Sequence, residues 1–241
     1  MPVDSLKKYG VKVYKMIYVG EINPFRINRY LDIILSERGE DSLKKFLEEA
    51  LALNEREISA ETRDKIRKLI NELQQPSEIE TLNTNKYYVV YRCDRAFTSS
   101  MCRPTDNTIV DSHVAYIECE NEDIAYYYAA VLNYLAYSVV TTKRTFTRHQ
   151  FARPLLVAYI AGLSWNNTDD KTKQTIVERS KELHKKAPSK KYANQKVALE
   201  EIARFPEFKE IVETLNSKVD RERLEEALDM VSGKGAKKAK R

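Results

Sequence analysis

Glycine is scarce in this chain, with six in 241 residues. Neither the G-x-x-x-x-G-K-[ST] loop nor the G-x-G-x-x-G turn occurs, so the two common backbone cradles for nucleotide phosphates are missing. No glycine flanks Ser99 or Ser100 as a nucleophile elbow requires, which weakens any triad drawn from these serines with His113 and Asp111. No run approaches the roughly 20 apolar residues that cross a bilayer. The opening Met-Pro-Val-Asp-Ser-Leu-Lys-Lys lacks the apolar core of a signal peptide. Cysteine occurs three times, and an odd number argues against a secreted disulfide framework. These absences predict a cytoplasmic protein with no membrane partner. Glutamine is also scarce while lysine and glutamate are abundant, a balance that leans towards a thermophile.

What the chain does have is charge. Residues of the hydrophobic class make up 42% and charged residues 32%, the mixture of a charge-rich globular protein. A chain of this length buries about 70% of the surface its unfolded form exposes and needs no staples. The net charge of +5 is unevenly placed. From Glu37 to Glu80 there are twelve acidic and eight basic residues. From Lys143 to Arg153 there are four basic residues, His149 and no acid. From Lys171 to Lys196 nine basic residues stand against Glu178 and Glu182. Lys234, Lys237, Lys238, Lys240 and Arg241 close the sequence. Clustered positive charge recruits polyanions.

The pattern predicts a helix-rich α+β fold, with a small central sheet flanked by N- and C-terminal helical regions. Val11 to Val19 suits one strand. Asn23-Pro24 offers an N-cap and an N1 proline, so a helix is expected to run to about Glu37. Apolar stripes predict further helices after Asp41 and Ser59, the latter stopping at Pro76. Lys86 to Cys93 reads as a strand, FTSSMCRPTDN as a polar loop, and Thr108 to Cys119 as a second strand. Asn121 caps an almost wholly apolar helix, and Pro154 opens a short buried segment that ends at Trp165. Helices are then expected over about 169–186, 189–204, 206–216 and 220–231. The expected divisions are residues 1–80 (strand and helices), 81–165 (α+β core), 166–231 (helical region) and 232–241 (basic disordered tail).

KRTFTRHQFARP, from Lys143 to Pro154, carries the most chemistry. Arginine forks grip phosphate or the guanine edge, threonines add neutral hydrogen bonds, and His149 and Gln150 can read bases. The competing reading is a charged connector between two core helices. Lys143, Arg144, Arg148, His149 and Arg153 are therefore candidate nucleic-acid contacts. Arg92, Arg95 and Arg103 are added from around the strand and loop, and Lys171 and Lys173 from the lysine-rich helix. Cys93, Cys102, His113 and Cys119 are ligands zinc would accept, but C-x8-C is not the tight pairing of structural sites, and buried free thiols are the simpler reading. A Cys93–Cys102 disulfide is a further alternative. Asp111, Glu118 and Glu120 suggest a metal-dependent nuclease hairpin, except that position 120 is Glu where that motif requires Lys. No cofactor, metal or catalytic residue is assigned.

An aromatic strand ending in Tyr91-Arg92, a polar loop, a strand entered through Val110-Asp111-Ser112, and a helix containing Val131-Leu132-Asn133 follow one another over about residues 86–165. This order resembles the target recognition domain of adenine-N6 DNA methyltransferases and the related single-chain restriction–modification enzymes. The resemblance implies that Arg92, Arg95, Arg144 and Arg148 lie near DNA and that the Leu-Asn pair packs behind the strand. Asn23-Pro24-Phe25-Arg26 is only superficially like the catalytic Asn-Pro-Pro-aromatic tetrad, and no glycine-rich cofactor motif is present, so the implied role is recognition without methylation.

The expectation is a non-catalytic nucleic-acid-binding protein, with DNA ahead of RNA. A metal-dependent nuclease and a scaffold for protein partners are the rival classes. Pairing of acidic N-terminal with basic C-terminal helices would also allow a homo-oligomer.

Overall fold

The computed structural model describes residues 13–34, 81–93, 97–142 and 154–231, together with Glu48 and Asp64. Among them are eight short strands and six helices, an α+β fold. The strands are β1 (Val13–Ile17), β2 (Ile22–Asn23), β3 (Arg26–Ile27), β4 (Leu31–Ile34), β5 (Tyr87–Arg92), β6 (Ser99–Cys102), β7 (Thr108–Val110) and β8 (Val114–Cys119). The helices are α1 (Glu122–Thr141), α2 (Pro154–Ile160), α3 (Asp170–Lys186), α4 (Gln195–Ile202), α5 (Pro206–Lys218) and α6 (Arg221–Val231).

The chain forms two compact units. The smaller comprises residues 1–16, 31–82 and 105–109, and its described part is a sheet in the order β4-β1-β7. There β1 and β4 pair antiparallel, and Lys15 forms an ion pair with the facing Asp32. The larger unit comprises residues 17–30, 83–104 and 110–241.

In the larger unit an antiparallel sheet in the order β6-β5-β8 lies against α1. Asn121 caps α1, its side chain accepting from the Ile124 amide at 3.0 Å. Glu122 and Asp123 follow in the first turn, where the helix dipole favours acids. The helix is buried nearly all round because α3, α4, α5 and α2 also pack on it. Its polar atoms are satisfied internally: the Tyr127 hydroxyl lies 2.7 Å from the Thr168 hydroxyl, and Tyr134 donates to Asn216 at 2.9 Å. Burial pushes the Tyr127 hydroxyl up to about 12.

Three sequence expectations are corrected. The helix predicted from Asn23 to about Glu37 is instead the β2–β3 hairpin followed by β4. Phe25 takes a positive φ of 59° at the turn, and the Asn23 side chain donates to Asn28 and to the Lys190 carbonyl rather than capping a helix. The strand predicted over Thr108 to Cys119 is two strands, broken where the Val114 amide donates to the Asp111 carbonyl. The polar loop FTSSMCRPTDN contains β6, which is largely buried. Its hydroxyls are inside because each finds an acceptor: Thr98 on Gln195 at 3.0 Å, Ser99 on the Ala129 carbonyl at 3.0 Å, and Ser100 on the Met101 carbonyl at 3.2 Å. The C-terminal helices are found as expected, although α4 begins only at Gln195. The helices expected after Asp41 and Ser59 lie outside the described residues, apart from helical Glu48 and Asp64. The basic tail also lies outside them.

One side of β6 pairs with β5, and the other is closed by side chains. The Ser99 amide donates to Asn133 Oδ1 at 3.0 Å, and Asn133 Nδ2 donates to the Ser99 carbonyl at 2.9 Å. A fully buried carboxamide thus imitates a neighbouring strand. Asn133→Ala leaves the Ser99 amide unsatisfied in a dry site, while the Ser99 carbonyl keeps the Phe25 amide, and should lower unfolding free energy by about 2 kcal/mol in urea denaturation. A loss below about 1 kcal/mol would mean that the amide does not hold the sheet edge.

Candidate functional site

Closing the β6 edge leaves a cleft of about 280 Å³ beside it, between the β2–β3 hairpin and α3. Arg26, Tyr30, Met101, Cys102, Arg103 and His184 give it its chemistry. Arg26 is half-buried: Nη1 donates to the Ala187 carbonyl at 3.0 Å, whereas Nε is buried without a hydrogen-bond partner. Arg103, just beyond β6, is exposed, with its guanidinium 5.6 Å from the centre of the Tyr87 ring. The Tyr30 hydroxyl stands 3.4 Å from Cys102 Sγ.

His184 forms the inner wall. Nε2 accepts from the Met101 amide at 2.9 Å, so the proton is on Nδ1, which donates to the Ser180 carbonyl at 2.8 Å. Phe25 and Tyr126 meet the ring edge-on, with centroids at 5.4 and 4.9 Å. Burial pulls its pKa down to about 4, because a charged imidazolium would be poorly solvated and could no longer accept from Met101. Burial likewise pushes the Cys102 thiol up to about 11 and raises the Tyr30 hydroxyl above its ordinary value. Among the lining residues, only the two guanidinium groups are charged near neutral pH, and none is acidic. With both imidazole nitrogens engaged and the thiol held protonated, the cleft is chemically suited to binding an anion rather than to proton transfer or nucleophilic attack.

Of the residues singled out in the sequence, Arg92, Arg103, Lys171 and Lys173 fall in the described part. Arg95, Lys143, Arg144, Arg148, His149 and Arg153 lie outside it. Arg103 lines the cleft. Arg92 Nη1 reaches the Ile22 carbonyl at 3.4 Å and so bears on the hairpin. Lys173 pairs with Asp170 at 3.1 Å and lies 4.9 Å from the Trp165 ring centroid. Eleven residues separate it from His184 on α3, about 16 Å of helix rise, so Lys171 and Lys173 are not brought to the cleft.

The basic excess between Lys171 and Lys196 is offset in space by carboxylates from other elements. Arg179 pairs with Glu210 at 2.7 Å, Lys181 with Asp123 at 2.7 Å, and Lys190 with Glu201 at 2.7 Å. Lys186 pairs with Glu207, and Lys191 lies 3.5 Å from Glu21. Exposed pairs of this kind contribute little stability, but they lower the local positive field.

None of the three cysteines forms a disulfide, and Cys102 and Cys119 are buried. Asp111 Oδ1 accepts from Ser112 at 3.3 Å and lies 3.6 Å from His113, while Glu118 is engaged by Lys86 and Tyr88, each at 3.2 Å. Among the described residues, no three His, Cys, Asp or Glu side chains gather as a metal site. No described helix is long and apolar enough to cross a membrane.

The chain matches no protein-family model, no curated protein and no solved structure.

Arg26, Tyr30 and His184 were not among the sequence candidates. Asn23-Pro24 suggested a helix start and concealed a hairpin turn. His184 sits in a lysine-rich helix whose sequence gives no sign that the ring faces a strand edge 83 residues away.

The low pKa of His184 makes folding sensitive to acid. The unfolded chain takes up a proton that the fold refuses between the ordinary value of 6.5 and about 4. The His184 contribution is therefore complete above pH 6.5 and is lost as pH falls through that window, by about 3 kcal/mol in all. Unfolding midpoints measured from pH 7.5 to 4 should fall more steeply for the wild type than for His184→Gln, whose carbonyl still accepts from Met101. Parallel curves would contradict this assignment.

Proposed function

We propose that this protein binds DNA without catalysing a reaction on it, mainly through phosphate contacts from Lys143, Arg144, Arg148 and Arg153. The observation that carries the reading is the segment Lys143–Arg153 itself. It holds four basic side chains and His149 with no carboxylate, and it links α1 to α2, two helices with buried faces. A basic segment joined at both ends to helices of the core offers clustered positive charge that attracts a polyanion.

Other observations support the same reading. The lysines of α3 and of the chain that follows it are largely matched by acids, so that region supplies less positive field than its sequence suggests. Leu132 and Asn133 lie on the helix behind the sheet whose strand β5 ends in Arg92, the order that the resemblance to target recognition domains implies. Tyr127 and Tyr134 are buried, which removes them as stacking platforms and favours duplex DNA over single-stranded RNA.

Reversing charge at two positions tests a focused site. Arg144→Glu with Arg148→Glu should weaken binding to a labelled duplex by roughly a hundredfold at about 0.1 M salt, read by fluorescence anisotropy. Removing residues 232–241 should cost less than about threefold. Equal losses from the two changes would contradict a focused site.

A further inference from the structure

We infer that the cleft beside β6 is a binding site for a single phosphate group, gripped by Arg26 and Arg103. This inference stands independently of the Lys143–Arg153 segment and of the DNA reading.

The first observation is the Arg26 guanidinium. Its Nη1 is fixed by the Ala187 carbonyl at 3.0 Å, which holds the plane in place, while the buried Nε–H lacks an acceptor. A buried charged donor without a partner is costly, so this one calls for an acceptor that a water or a ligand would supply. The second observation is charge. Arg103 also lines the cleft, and the lining includes no carboxylate to neutralise either arginine. In contrast, Arg29 and Lys191 on this unit both have Glu21 within 3.5 Å. The third is protonation: His184 is kept neutral and Cys102 is kept as a thiol, so nothing in the wall opposes an anion.

Two guanidinium forks match the charge and the several acceptor oxygens of a phosphate better than they match a lone carboxylate. The Tyr30 hydroxyl lies in the same lining and can add a neutral donor if it turns from the Cys102 sulfur, 3.4 Å away. At about 280 Å³ the cleft admits the phosphate together with part of whatever bears it. No covalent step is involved.

The bearer is either a nucleic-acid backbone or a small phosphorylated compound, and one pair of measurements separates them. Inorganic phosphate is titrated into the full chain in chloride buffer and followed by phosphorus NMR, for the wild type, Arg103→Gln and Arg26→Lys. Arg103 is exposed, so its replacement leaves the fold intact and keeps the test decisive even if the Arg26 variant is unstable. The wild type should bind phosphate, and Arg103→Gln should weaken it by about tenfold. The same variant is then tested on a duplex across a salt series. A fall of about one in the slope of log affinity against log salt identifies a backbone phosphate as the natural occupant. An unchanged slope, with phosphate binding still weakened, identifies a small phosphorylated compound. Absence of phosphate binding by the wild type, or equal binding by wild type and Arg103→Gln, overturns the inference whatever the duplex does.

Discussion

A single buried carboxamide couples the central helix to the open side of the sheet. Asn133 exchanges two hydrogen bonds with the Ser99 backbone, and its Nδ2 also donates to the Ala129 carbonyl at 2.9 Å. The Ser99 carbonyl accepts in addition from the Phe25 amide at 2.8 Å, which ties the β2–β3 hairpin to the same point. Two residues further along, His184 serves the next outward-facing amide of the strand. β6 would otherwise be a polar edge strand in a dry environment, a liability both for stability and for unwanted pairing. Its closure by α1, α3 and the hairpin fixes where those elements meet, and the cleft is the space left between them.

That arrangement also sorts the positive charge. Where α3 and the chain after it run over the larger unit, lysines and arginines meet acids from α1, α4 and α5, and the surface there is mixed. At the cleft the hairpin and the β6 end supply arginines, and the lining supplies no acid. The lysine-rich helix carries less net positive charge in three dimensions than its run of basic residues implies. An excess of charge within a segment becomes a field only where folding does not bring opposite charges to it.

The sequence made the helices after Asn121 legible because their caps and apolar spacing are local signals. Asn121, Asp169 and Asn194 each accept from the amide three residues on, as N-caps do. β5 was equally plain from its run of valines and tyrosines. β6 was not, because Thr98, Ser99 and Ser100 carry the composition of a loop, and the acceptors of Thr98 and Ser99 lie 97 and 30 positions away. The hairpin at Phe25 was hidden by an Asn-Pro pair that also starts helices, and its positive φ has no glycine to announce it. Arg103 was visible as a surface arginine, but Arg26 reaches the same lining only through that hairpin. The candidate cleft was therefore only partly readable in advance.

The central claim is that the basic surface of this protein serves DNA. It is tested most directly by titrating the intact chain against a labelled duplex, a single strand and an RNA hairpin over a range of salt, with and without magnesium. The account predicts that the duplex is bound most tightly, that its affinity falls steeply with salt, and that the DNA remains uncut. Tighter binding of RNA, magnesium-dependent cleavage, or no binding to any of the three at low salt would contradict it.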